Sequence, residues 1–153
     1  MLAYGIGTLG FIIIVGYLFM GNPVLYINEY NLTSAIKTID KKNKTIILNE
    51  VVPFEWETLY SFEPYSSKEY MEEVIGFKSD EIYSDDISED MLNLIFVQDG
   101  KVVARVLDCP SKLGYDIQFK PNEEVVNKIK FEDDTTFDVK KAKGIVTLNM
   151  ADE

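Results

Sequence analysis

Apolar residues are concentrated at the start of the chain, where residues 1–27 contain no charged side chain. Residues 2–20 hold apolar residues, tyrosine, glycine and one threonine, which is close to the ~20 residues that a helix needs to cross a membrane. Glycine is common in such helices, and Pro23 disfavours a helical conformation at Asn22. No basic region precedes the run and no small-residue cleavage site follows it, so a cleaved export signal is less favoured. We therefore expect residues 1–27 to form a transmembrane anchor, rather than a signal or a buried element.

Residues 28–44 have a weaker pattern. Tyr30, Ala35, Ile36 and Ile39 recur at loosely helical spacing, and a lysine-rich stretch follows them. This predicts a short juxtamembrane helix or stalk between the anchor and a folded domain at residues 45–153.

The beginning of that domain combines strand patterns with one helix. Residues 45–51 are rich in β-formers, and residues 54–62 alternate, with Phe54, Trp56, Thr58, Tyr60 and Phe62 on one face. Ser66 and Glu69 form a capping-box pattern that opens a helix, and Gly76 ends it.

Two hairpins are predicted further along. Residues 91–98 and 101–108 flank Asp99-Gly100, a strong hairpin signal. A strand follows at residues 115–119, and a second hairpin pairs residues 135–139 with 145–150. The fold class expected is therefore α+β: an N-terminal transmembrane helix, then a small, mostly antiparallel sheet (a meander) with one main packed helix.

The charge balance points to the chemistry of a partner. The net charge is −11, and residues 55–90 carry twelve acids against two lysines. Clustered acids attract basic partners, so we expect an acidic binding surface formed by Asp80, Glu81, Asp85, Asp86, Glu89 and Asp90. Nucleic acid is not expected as a partner, because affinity for phosphate backbones rests on clustered lysine and arginine, and the chain has a single arginine.

The sequence lacks the residues that several classes of catalytic and metal-binding chemistry require. The chain has no histidine and one cysteine, Cys109, which excludes Ser-His and Cys-His catalysis, histidine-bound metals and internal disulfides. No glycine-rich phosphate loop lies between a strand and a helix. We therefore expect no cofactor, no metal site and no enzymatic activity.

Aromatic residues offer a second, weaker binding hypothesis. Trp56, Tyr60 and Tyr65 could form a platform for a sugar or a peptide. Trp56 and Tyr60 belong to the period-two pattern of residues 54–62, which is more typical of the buried face of a strand, so the core interpretation is favoured.

One stretch of sequence resembles a known group. The run P-F-E-W-E-T-L-Y-S-F-E-P-Y at residues 53–65, with S-K-E at residues 67–69, Ile75-Gly76, L-I-F-V at residues 94–97 and K-V-V at residues 101–103, resembles small uncharacterised proteins of Gram-positive bacteria. In those proteins an apolar N-terminal segment precedes a compact exported domain. The resemblance covers residues 50 to 120. It implies a domain anchored or exported at the cell surface, and it implies no catalytic residues.

These observations together predict a membrane-tethered, extracytoplasmic interaction or immunity-type module. Its acidic surface would bind a basic protein or cationic peptide. A single-pass cell-membrane location is expected, although four lysines at residues 37–44 follow the span and would by themselves favour the opposite orientation. The alternatives are a structural or accessory subunit of a membrane complex and a carboxylate-dependent envelope hydrolase.

Overall fold

The computed structural model describes residues 22–84, 88–120 and 126–151. The helices are α1 (Pro23–Lys37), α2 (Leu48–Val51), α3 (Lys68–Ile75) and α4 (Pro110–Leu113), with a 3₁₀ turn at Phe131–Asp133. The strands are β1 (Thr45–Ile47), β2 (Thr58–Phe62), β3 (Leu92–Gln98), β4 (Lys101–Asp108), β5 (Tyr115–Gln118), β6 (Val126–Lys130), β7 (Thr136–Ala142) and β8 (Ile145–Met150).

The strands form two four-stranded sheets. The first sheet has the order β1-β7-β8-β5 and the second has the order β4-β3-β2-β6. All neighbours are antiparallel except β5 and β8, which run parallel. The chain is therefore α+β.

Both predicted hairpins are confirmed. Asp99 and Gly100 adopt positive φ angles of 49° and 66° between β3 and β4, the conformation that a two-residue turn of type I′ requires. Lys143 and Gly144, at 51° and 82°, do the same between β7 and β8. Helix α3 ends as expected on left-handed Gly76, but its N-cap is Ser67 rather than Ser66, because the Ser67 hydroxyl accepts the Tyr70 N–H.

The second sheet is buried on both faces, which explains why β3 reads as a continuous apolar run. One face joins the first sheet in the larger core, which includes Leu59, Phe96 and Tyr115. The other face forms a smaller core with α3, which includes Tyr60 and Met71. Helix α1 contributes to both, with Leu25 in the smaller core and Leu32 in the larger one.

Helix α1 also covers part of the edge of β4. The Asn28 side chain donates to the Val103 carbonyl at 2.8 Å, and the Glu29 carboxyl accepts the Arg105 backbone N–H. Two side chains of α1 therefore occupy backbone groups that a further strand would otherwise use, which protects this edge.

The structure contradicts the predicted membrane-spanning helix. Within residues 22–84, 88–120 and 126–151, every helix is too short or too polar to cross a membrane. Most of the apolar run, residues 1–21, lies outside the described residues. Its end begins α1 instead, where the Asn22 side chain accepts the Val24 N–H and Pro23 occupies the first turn. The same finding contradicts the predicted single-pass location in the cell membrane.

The prediction of a single meander with one packed helix is also wrong. Strand β5 follows β4 in sequence but joins the other sheet, parallel to β8. Strand β6, which the sequence analysis missed, pairs with β2 at the edge of the second sheet. Residues 48–51, expected to continue a strand, form the short helix α2. The first two differences arise from pairings between distant strands, which local patterns do not encode.

Candidate functional site

The predicted acidic surface is partly described. Asp80, Glu89 and Asp90 are exposed and Glu81 is half-buried. Asp85 and Asp86 lie outside the described residues. We call residues 79–90 the acidic segment, and its described parts, residues 79–84 and 88–90, are both held beside β4.

Arg105 on β4 holds the first end. Its Nη2 donates to the Tyr83 carbonyl at 2.7 Å, and its guanidinium carbon lies 5.1 Å from the centre of the Tyr83 ring. Its Nη1 donates to Asn93 Oδ1 at 2.6 Å. The one arginine of the chain is only 2% exposed, so it anchors this segment from inside the fold.

Cys109, directly after β4, contacts the second end. Its Sγ lies 3.7 Å from Asp90 Oδ1 and 3.6 Å from Ser88 Oγ. The Ser88 hydroxyl also donates to Asp90 at 2.6 Å, and this bond is the main reason that the pKa of Asp90 is lowered. Asp90 is therefore an anion held near the end of β4.

The three aromatic residues of the second binding hypothesis do not lie together in the structure. Trp56 is 3% exposed and packs edge-on against Phe96 and Phe131, and Tyr60 is buried in the smaller core. Both are core residues, in agreement with the favoured interpretation. Tyr65 is 65% exposed and lies in the turn before α3, apart from the other two.

An open groove of about 650 Å³ lies over Trp56 and is lined by Glu55, Glu57, Lys130 and Phe131, among others. Its polar side chains largely serve the fold. Glu57 accepts the Asp99 N–H, and Lys130 pairs with Glu132 at 3.2 Å. The groove is therefore a weaker candidate than a smaller pocket between α1 and β4.

That smaller pocket, which we call the α1–β4 pocket, has a volume of about 350 Å³. Its polar and aromatic lining comes from four parts of the chain. These residues are Tyr26, Glu29, Tyr30 and Thr33 of α1, Tyr83 of the acidic segment, Arg105 and Asp108 of β4, and Tyr115 of β5. It is therefore the place where the acidic segment, α1 and both sheets meet.

Glu29 is the central titratable group of this pocket. Burial raises its pKa to about 7, and the negative charge of Glu81 adds to the rise. The Arg105 backbone N–H and the Arg105 charge oppose it. Glu29 therefore exchanges its proton near neutral pH, and a cation that enters the pocket would favour the ionised form.

Arg105 and Tyr115 form the buried part of the pocket. Burial lowers the pKa of Arg105 to about 10, and the neighbouring Tyr83 and Glu29 groups oppose this shift. Burial raises the pKa of the Tyr115 hydroxyl to about 12, partly opposed by the nearby Thr33 side chain. Arg105 thus remains a cation and Tyr115 a neutral hydroxyl across the physiological range.

Three tyrosines form the exposed rim. Tyr26 is 63% exposed, Tyr30 is 75% exposed and Tyr83 is 45% exposed. Large exposed aromatic side chains grouped around a pocket are typical of interaction sites. The ring faces can also attract a cation, because each carries negative electrostatic potential.

The sequence analysis missed this pocket. Glu29 is the first charged residue after the apolar run, and Arg105 interrupts the apolar strand V-A-R-V-L. Both are signals of a buried polar group, but nothing local indicates that residues 29, 105 and 115 meet. They come together only when α1 packs against β4 and β5.

No metal centre is evident in the part of the chain that the structure describes, where no three acidic or cysteine side chains cluster closely enough to hold an ion. Comparison of the chain with protein-family models, curated proteins and solved structures found no match.

Proposed function

We propose that this protein is a binding module for a basic protein or peptide segment, and that the α1–β4 pocket receives a cationic side chain of that segment. The observation that carries the proposal is the half-buried carboxyl of Glu29, surrounded by the exposed rings of Tyr26, Tyr30 and Tyr83. A carboxylate combined with aromatic faces is a favourable environment for a lysine or arginine head group.

The surrounding charges support the same class of ligand. Asp108 lines the pocket, Glu81 lies near enough to affect Glu29, and Asp90 is held at the end of β4. Arg105 opposes this field from inside the fold, where it is 2% exposed. The carboxyls of Glu81, Asp90 and Asp108 outnumber this one cation, so they would guide a basic partner towards the pocket.

The proposal can be tested with the full-length protein and a labelled peptide of alternating arginine and glycine, with a glutamate-glycine peptide as the control. We expect Glu29→Gln and Tyr30→Ala each to weaken binding of the arginine peptide about tenfold. The first removes a partly desolvated charge, and the second removes an aromatic face. Fluorescence anisotropy at physiological salt measures both.

Matched controls separate this site from general attraction to an acidic protein. Glu73→Gln removes an exposed acid on α3, and Tyr65→Ala removes an exposed tyrosine distant from the rim. Both should bind the arginine peptide as the unmodified protein does. If all four variants bind equally well, the pocket is not the binding site.

A further inference from the structure

Four lysines from two distant segments surround an open pocket beside the β7–β8 hairpin, which we call the lysine pocket. Its volume is about 560 Å³. Lys37 ends α1 and Lys41 lies in the loop that follows, whereas Lys141 lies near the end of β7 and Lys143 lies in the turn before β8. All four are exposed. The two segments are about 100 residues apart in sequence, so only the fold brings these charges together.

Contacts of the fold hold two of these side chains in place. The Lys141 ammonium donates to the Ile39 carbonyl, which joins the end of β7 to the loop after α1. The Lys37 side chain lies across Gly114, so close that a methyl group on this glycine would be 3.3 Å from Lys37 Nζ. Pairing of β1 with β7 keeps the two segments side by side. The arrangement of charges is therefore a property of the fold.

The charge of the lysine pocket is opposite to that of the whole chain, which is −11. Apart from the four lysines, its described lining consists of one asparagine, one glycine and four aliphatic residues, and it includes no acid. None of the ion pairs within the described residues includes one of the four lysines. Asp40, next to Lys41, accepts the Lys42 N–H at 2.8 Å and is not among the lining residues. Four like charges around one pocket repel each other, and an anion with several charges would relieve that repulsion.

The size of the pocket and its surroundings restrict the anion further. Its volume is within the range of small-molecule sites. A long polyanion or a broad acidic surface would extend beyond the pocket over a strongly negative molecule, which would repel it. Lysine binds phosphate groups as a point charge, and the described lining has no aromatic ring on which a base could stack. These properties favour a compact ligand whose charge is carried by phosphate groups.

We propose that the lysine pocket binds a compact, multiply charged phosphate ligand, whose oxygens accept hydrogen bonds from the ammonium groups of Lys37, Lys41, Lys141 and Lys143. This inference goes beyond the proposed function and does not depend on it, because the lysine pocket and the α1–β4 pocket share no described lining residue. The protein then has two binding sites of opposite charge.

Calorimetric titration of the full-length protein with inorganic tripolyphosphate tests this inference, in magnesium-free buffer at physiological ionic strength. Tripolyphosphate should bind at least about tenfold more tightly than inorganic monophosphate, because more of its charges reach the lysines. The double variant Lys41→Gln, Lys143→Gln should bind tripolyphosphate at least about tenfold more weakly than the unmodified protein. Both lysines are exposed, and thermal unfolding checks that the variant is folded.

The matched control is the double variant Lys78→Gln, Lys101→Gln, which removes two exposed lysines outside the pocket and changes the net charge equally. It should bind tripolyphosphate as the unmodified protein does. Equal weakening in the two double variants would overturn the assignment to this pocket. Absence of tripolyphosphate binding would overturn the inference and leave the proposed function standing. A glutamate-glycine peptide that binds as tightly as tripolyphosphate, and loses affinity in the first double variant, would overturn the assignment to a phosphate ligand.

Discussion

At the scale of single residues, the buried Arg105 and the half-buried Glu29 connect the fold to the candidate site. Arg105 joins β4 to Asn93 of β3 and to the acidic segment at Tyr83. Glu29 joins α1 to the Arg105 backbone and faces the pocket. Each therefore has a structural role that would be present without any ligand. The proposed binding role rests on what surrounds them, namely the exposed tyrosines that line the pocket.

Glu29 should make stability depend on pH. Its pKa is about 7 in the folded protein and 4.5 for a free carboxyl, so the folded state holds the proton more tightly. The stabilisation is complete below about pH 4.5 and is lost as the pH rises through 7. The full shift corresponds to about 3 kcal/mol, and partial exposure to solvent reduces the expected effect to about 1–2 kcal/mol.

Urea unfolding of the unmodified protein and of Glu29→Gln at pH 5 and pH 8 measures this effect. The glutamine keeps an acceptor for the Arg105 N–H but does not titrate. The unmodified protein should therefore lose stability relative to the variant between the two pH values. A stability difference that is the same at both would show that Glu29 has an ordinary pKa.

At the scale of elements, α1 determines the shape of the site. It places Leu25 in one core and Leu32 and Ile36 in the other, and it covers the edge of β4 with Asn28 and Glu29. Its remaining side presents Tyr26 and Tyr30 to solvent. One helix thus closes the fold and supplies most of one wall of the pocket, so loss of its packing should affect stability and binding together.

Leu32→Ala tests that role. Leu32 is fully buried in the larger core, and its truncation should reduce the free energy of unfolding by about 2–5 kcal/mol through lost burial and a residual cavity. Val24→Ala, on the same helix but 48% exposed, should change it by less than about 0.5 kcal/mol. Urea denaturation measures both. Equal, small effects would mean that α1 is not held by the core in solution.

At the scale of the whole molecule, the uneven distribution of acids should control association. The excess lies in residues 55–90, and Tyr83 of this range lines the α1–β4 pocket. At physiological ionic strength, salt screens the attraction between separated charges over a distance of about 8 Å. A basic partner should therefore associate more slowly as salt increases, with a smaller effect on dissociation.

Charge reversal makes that prediction specific. Changing Asp80, Glu89 and Asp90 to lysine should slow association of the arginine-glycine peptide about tenfold or more in stopped-flow measurements at low salt. Changing three exposed acids outside residues 55–90, Glu50, Glu132 and Asp138, alters the net charge equally and should slow it less. Equal slowing by both sets would show that only the net charge matters and that the acidic segment has no special position.

The parts of the fold that the sequence by itself determined are those specified by neighbouring residues. Asp99-Gly100 and Gly144 adopt the positive φ angles that their hairpins need, and Gly76 ends α3, because each signal acts within a few residues. The concentration of acidic residues in positions 55–90 can likewise be read directly from the sequence. In contrast, the apolar run was over-interpreted, since its last residues belong to a helix with one face in the core.

Only the tertiary structure decided how distant segments meet. The parallel pairing of β5 with β8, the addition of β6 to the second sheet and the docking of α1 all bring together residues that are far apart in sequence. Such contacts depend on the total apolar area buried and on backbone groups finding partners, and no short pattern records either. Glu29, Arg105 and Tyr115 consequently share one pocket, although in the sequence each reads as an isolated residue.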